Sequence, residues 1–161
     1  MNALYNHPKV KAMINFTHGE GFGAPLLEFS MTGKPIIVSN WSGHLDFLDG
    51  KLCKLLEGEV KELPPESVNE WLIKGSSWFN VNYSKAGELM KTVYYNYGSY
   101  LDRSEILRIR NTELFSTQAM DKKFWSLLDE HLPKFATETK LVLPRLKKIE
   151  LPKLKKIEPK I

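Results

Sequence analysis

A mixed α/β fold, with parallel strands leading into a helical segment, is the architecture this sequence predicts. Three patterns carry that expectation. Residues 12–39 run strand, glycine loop, helix, strand, which is the order of a βαβ unit. The run Pro35-Ile36-Ile37-Val38-Ser39 is apolar on consecutive positions and β-branched, as suits a parallel strand covered on both faces. From about residue 84 to 132, apolar residues recur at helical spacing.

Taken in order, Ala12-Met13-Ile14-Asn15-Phe16 reads as the first strand, with Val10 as a candidate extension. Thr17–Gly23 is a loop with three glycines. Pro25 fits the first turn of a helix that Leu26, Leu27, Ser30 and Met31 continue, and Gly33 stops it. After the second strand, Asn40–His44 forms a loop leading to a short helix around Leu45–Leu48. Leu52–Leu56 and Val60–Leu63 look like two short strands turning at Glu57-Gly58-Glu59. Beyond Pro64-Pro65, Glu66–Ile73 is expected to be helical, with Trp71 and Leu72 facing inward. Ser84, Ser104 and Ser116 are the expected N-caps of three further helices, 85–97, 105–115 and one ending near Leu132. Phe124, Leu127 and Leu128 would form one buried face of the last. Trp78, Phe79, Tyr94, Tyr95, Tyr97 and Trp125 are read as core and interhelix packing ahead of a ligand cage.

Composition narrows the function classes. The chain has 161 residues, 42% of them apolar, enough for one sizeable core. No apolar run approaches the roughly 20 residues of a membrane span, and the first residues lack signal-peptide character. A cytoplasmic location is the expectation. The single cysteine, Cys53, is read as a small buried apolar residue. The net charge of +4 is uneven: residues 134–161 carry nine Lys/Arg against three Glu, which leaves the rest of the chain net negative. That body offers no basic face for nucleic acid. No His, Cys and carboxylate cluster has zinc-site spacing, so no metal is expected.

Residues 1–133 are therefore read as the folded body and 134–161 as a basic tail. In the tail, Leu143-Pro-Arg-Leu-Lys-Lys-Ile-Glu150 is followed by Leu151-Pro-Lys-Leu-Lys-Lys-Ile-Glu158, an eight-residue repeat. A proline in each unit opposes a continuous helix. The tail is either a solvated extended segment or a docking strand for a partner or a second copy.

The chemistry concentrates in Glu20-Gly21-Phe22-Gly23-Ala24-Pro25-Leu26-Leu27-Glu28. A strand-to-helix turn presents backbone amides that suit an anion, and glycine lets that backbone approach a ligand closely. Carboxylates at the two ends can accept hydrogen bonds from hydroxyls. With seven residues between the glutamates, the segment resembles the E-x7-E motif of retaining GT-B glycosyltransferases (the group 1, family 4-like enzymes). Gly33-Lys34-Pro35-Ile36-Ile37-Val38-Ser39-Asn40 is similar to that family's G-x-P-V-I segment, and Ser42-Gly43-His44 sits where the family has a Gly-Gly loop. The resemblance is specific over about residues 12–48 and weaker to about 132.

The resemblance implies part of a Rossmann-like GT-B C-terminal domain that binds a nucleoside-diphosphate sugar and transfers the sugar, with retention, to an unknown acceptor. No cofactor is implied beyond that donor substrate. Glu20 would be catalytic, contacting hydroxyls of the donor sugar. Gly21, Phe22, Gly23 and Ala24 would lie against sugar and phosphate, and Glu28 would hold the ribose. Ser42 and Gly43 would line the same cleft. His18 and His44 are candidate donors to phosphate or sugar, or else ordinary polar residues. With the motif starting at Glu20, no segment matches the family's upstream Arg/Lys pair or its acceptor-domain histidine. The expectation is thus a donor half needing a complementing N-terminal half: a fragment, a split subunit or a degenerate module. The competing reading is a non-catalytic α/β interaction module that docks through its basic tail. An NAD-type site fits less well, since the loop lacks the Gly-x-Gly-x-x-Gly register.

Overall fold

The computed structural model describes residues 1–133. The tail repeat and both readings of it lie outside those residues. The centre of the fold is a parallel sheet of three strands, β1 (Met13–Asn15), β2 (Ile36–Ser39) and β3 (Lys54–Leu56), in the order β1-β2-β3. Met13 stands opposite Ile36, and Ile37 opposite Lys54. A short helix α1 (Asn2–Tyr5) precedes the sheet, α2 (Ala24–Ser30) links β1 to β2, and a 3-10 turn at Gly43–Asp46 leads towards β3. Val10 stays outside β1.

All four residues of β2 are buried. Ile36 and Val38 point into one cluster, with Leu26 and Phe29 of α2, Phe47 and Leu48, and Leu107 from α4 (Tyr97–Phe115). Ile37 points the opposite way, towards Phe79, Val81, Ala86 and Val93. Alternation along a strand thus sends successive β2 residues into two separate cores. This is the reason the run is apolar at every position. Asn111 fastens α4 onto α2: its Nδ2 donates to Ser30 Oγ at 2.8 Å, and that hydroxyl donates to Leu27 O.

Several local expectations change. Leu52–Leu56 and Val60–Leu63 do not pair with each other. β3 joins the parallel sheet, while β4 (Gly58–Glu62) turns away to pair antiparallel with β5 (Ser77–Val81), a strand the local pattern did not disclose. The expected helix at 66–73 is instead a 3-10 turn at Pro65–Ser67 followed by bends. Asn69 Oδ1 accepts the amides of Trp71 and Leu72, an Asx turn that competes with helix. Trp71 is consequently 84% exposed instead of facing inward.

The cap of α3 (Tyr83–Tyr95) is Asn82, whose side chain accepts the amide of Lys85, and not Ser84. Ser104 lies inside α4 and donates back to Tyr100 O, so that helix begins well before the expected cap. Ser116 does cap α5 (Thr117–His131), accepting the amide of Ala119. Yet Phe124 and Leu127 on α5 are exposed. Among the described elements α5 packs chiefly on α4, and no further layer covers its apolar side chains. Tyr94, Tyr95 and Trp125 are likewise exposed, and of the six aromatics read as core, Phe79 is the one that is buried. β1 is an edge strand, with Ile14 open to solvent beside a groove shared with Ile37, Met90 and Tyr94.

Cys53 is buried immediately ahead of β3. Burial, and secondarily the Asp49 carboxylate, push its thiol up to about 12. The thiolate is the reactive form, so iodoacetamide should leave Cys53 unlabelled in the native chain at pH 8 and label it fully in denaturant. Rapid native labelling would place Cys53 outside the core. No helix among the described residues is long and apolar enough to cross a membrane.

Candidate functional site

Three parallel strands in sequence order bring the loops that follow them to one edge of the sheet. The loop after β1 carries Glu20 and the glycines, and the loop after β2 carries Trp41, Ser42 and Gly43. The two loops are bonded to each other. Glu20 N donates to Ser42 Oγ at 2.6 Å, Ser42 Oγ donates to Glu20 O, and Gly43 N donates to the same carbonyl at 3.1 Å. A Cβ at Gly43 would stand 2.0 Å from Gly21 O, so the two backbones meet only because residue 43 has no side chain.

The turn into α2 is built around Gly23, whose φ of 83° is left-handed. Its carbonyl accepts the amides of Leu26 and Leu27, and Pro25 has none to offer. The amides of Gly21, Phe22, Gly23 and Ala24 donate to no acceptor among the described residues. Gly21, Phe22 and Ala24 are exposed and Gly23 is buried, so the turn carries unpartnered donors of the kind that suit an anion. Nothing lies within 4 Å of the position a Cβ would take at Gly21, which leaves that backbone open to approach. Phe22 anchors the turn from behind, its ring 5.2 Å from Phe47 and 6.3 Å from Phe115.

Glu20 is half-buried, and Asn15 Nδ2 donates to its Oε1 at 3.4 Å. Glu28 lies on the second turn of α2 with an exposed carboxylate that has no partner among the described residues. Both glutamates therefore keep acceptor capacity for a ligand. Glu57, just after β3, is paired with a cation: Lys85 Nζ binds its Oε2 at 2.9 Å and holds that carboxyl below the usual range.

The two histidines separate. His18 is half-buried, its Nδ1 donates to Phe79 O at 2.7 Å, and its ring stacks on Trp78 at 4.0 Å. Nε2 remains for a further bond. His44 is fully buried and donates from Nε2 to Ser39 O at 2.7 Å, so it supports the loop from within and presents nothing at the surface.

Sequence reasoning missed the supports of the site. Arg110 Nη2 donates to Phe47 O at 2.7 Å, and Phe115 packs on Phe47, so α4 braces the turn from behind. It also missed Trp41, which is exposed beside Ser42 and lies parallel to Phe79 at 5.8 Å. A tryptophan next to the Ser-Gly pair was the available signal.

Comparisons with protein-family models, with curated proteins and with solved structures return no match. Fold and site define the class that can be stated: a mixed α/β chain whose three-stranded parallel sheet carries a glycine turn with free amides at its C-terminal edge, followed by helices.

Proposed function

We propose that this chain binds a nucleoside-diphosphate sugar at the Glu20–Glu28 turn, as the donor half of a retaining GT-B glycosyltransferase of Rossmann-like fold. The observation that carries the reading is the run of four unpartnered amides, Gly21 to Ala24, between two glutamates with free acceptor capacity. An anionic pyrophosphate satisfies such donors, and sugar and ribose hydroxyls satisfy such carboxylates.

In this reading the amides of Phe22, Gly23 and Ala24 lie against phosphate and sugar. Glu20 accepts from the donor-sugar hydroxyls next to the reacting carbon, and Glu28 accepts from the ribose. Ser42 and Gly43 form the wall opposite. The preset amides oppose the charge that develops on the leaving diphosphate, which is how oriented donors lower such a barrier. The acceptor and its binding surface come from a complementing half or from another copy of the chain.

Titration calorimetry of the full chain with UDP and with GDP tests this. One of the two nucleotides is expected to bind, and Glu28→Ala to weaken that binding about ten- to a hundredfold, the range for losing hydrogen bonds to a charged group. Unchanged affinity in Glu28→Ala would sink the assignment of the ribose contact, and with it the donor reading.

A further inference from the structure

Among the described residues, Ser42 is the one non-glycine residue with a left-handed φ, at φ 87° and ψ −169°. Residues with a Cβ avoid this region, and they persist there only where the surroundings over-determine the backbone. Here the surroundings include the backbone of a single residue, Glu20. The Ser42 hydroxyl accepts from Glu20 N at 2.6 Å and donates to Glu20 O, and the adjoining Gly43 N donates to that same carbonyl at 3.1 Å. Three hydrogen bonds thus converge on the backbone of Glu20 from two neighbouring residues of another loop.

We propose that Ser42 is a positioning residue: its hydroxyl clasps both polar groups of the Glu20 backbone and holds the turn in its ligand-ready shape at the expense of a strained backbone. The proposal rests on the nucleotide-sugar reading of that turn and adds to it. Because the hydroxyl faces Glu20, it is already engaged and is not a ligand of the donor. Because it occupies the Glu20 amide, the first free donor of the turn is Gly21. The clasp therefore sets where the anion-binding surface begins, and it fixes the backbone from which the Glu20 carboxylate projects.

Strain and clasp can be separated by substitution. Ser42→Ala removes the hydroxyl and keeps the Cβ in the unfavourable region, so its Tm should fall below wild type. Ser42→Gly removes the hydroxyl but relieves the strain, so its Tm should lie above that of Ser42→Ala. A residue that merely stabilised the fold would make binding follow Tm. A positioning residue makes both variants bind the nucleotide, UDP or GDP, about tenfold more weakly than wild type despite their different stabilities. Amide exchange followed by NMR reads the clasp without any ligand. The Glu20 amide should exchange slowly in wild type, and about as fast as Gly21 in both variants.

Wild-type affinity in Ser42→Gly, or a Glu20 amide that is unprotected in the wild-type chain, overturns the proposal. A wild-type chain that protects Glu20 yet binds neither nucleotide overturns the donor reading instead. Ser42 then keeps only the turn-fixing role that the exchange rates report.

Discussion

Replacing Phe47 by alanine is expected to destabilise the chain by about 3–5 kcal/mol, the range for truncating a fully buried aromatic. That is a large part of the roughly 5–15 kcal/mol that separates folded from unfolded states in proteins of this size. The reason for the size is position. Phe47 belongs to the core on the α2 side of the sheet, touches Phe115 of α4, and backs Phe22 of the candidate site. Its backbone carbonyl also accepts Arg110 Nη2, and that bond would have to survive around a new cavity. Urea denaturation checks this: the midpoint should drop by more than about 1 M with the slope little changed. A midpoint within a few tenths of wild type would mean that Phe47 does not hold the core together. Nucleotide binding should weaken in the same variant, because Phe22 loses the ring it rests on.

Gly43→Ala should have the largest effect on the site itself. The new Cβ would stand 2.0 Å from Gly21 O and 3.0 Å from Glu20 O, and both are backbone atoms that cannot rotate away. The two loops must part, the bond from Gly43 N to Glu20 O is lost, and the cost is about 1–3 kcal/mol or more, as for other overpacked contacts. Displacing the turn is expected to weaken nucleotide binding about tenfold or more, as amide bonds to the phosphate are lost. Gly21→Ala is the informative companion. Nothing lies within 4 Å of its Cβ position, so the thermal midpoint should barely move. Binding should still fall, because that Cβ would fill the space through which a phosphate approaches. Equal affinity in Gly21→Ala and wild type would count against an anion at this turn.

The sequence made the βαβ unit legible because its signals are local. An apolar run at Ile36–Val38, glycines before Pro25, and Ser116 ahead of α5 each act within a few residues. What it hid depends on partners far along the chain. β5 exists because β4 lies beside it, and Ser77–Val81 alone shows no clean alternation. At Asn69 a side chain outcompeted the helix that apolar spacing suggested, and at Asn82 a cap two residues earlier displaced Ser84. Helical spacing of Phe124 and Leu127 indicated a buried face, but burial needs a covering layer, and spacing does not say whether one exists. For the site, the motif located the turn and its glycines. It did not reveal that Ser42 binds Glu20, that His44 lies wholly inside, or that Phe115 and Arg110 stand behind.

The Asn111–Ser30 bond has a bearing on how the chain reaches its final form. Strand pairs such as Met13 with Ile36 close a βαβ crossover, a shorter stretch of chain than the contacts made by α4. Asn111 meets Ser30 across 81 positions, and Arg110 meets the Phe47 carbonyl across 63. Those contacts close longer loops and carry a larger closure entropy. The glycine turn is tied to its neighbours in sequence, while its rear wall comes from α4, far along the chain. A chain cut ahead of α4 keeps every residue of the E-x7-E segment and loses the surface that segment leans on.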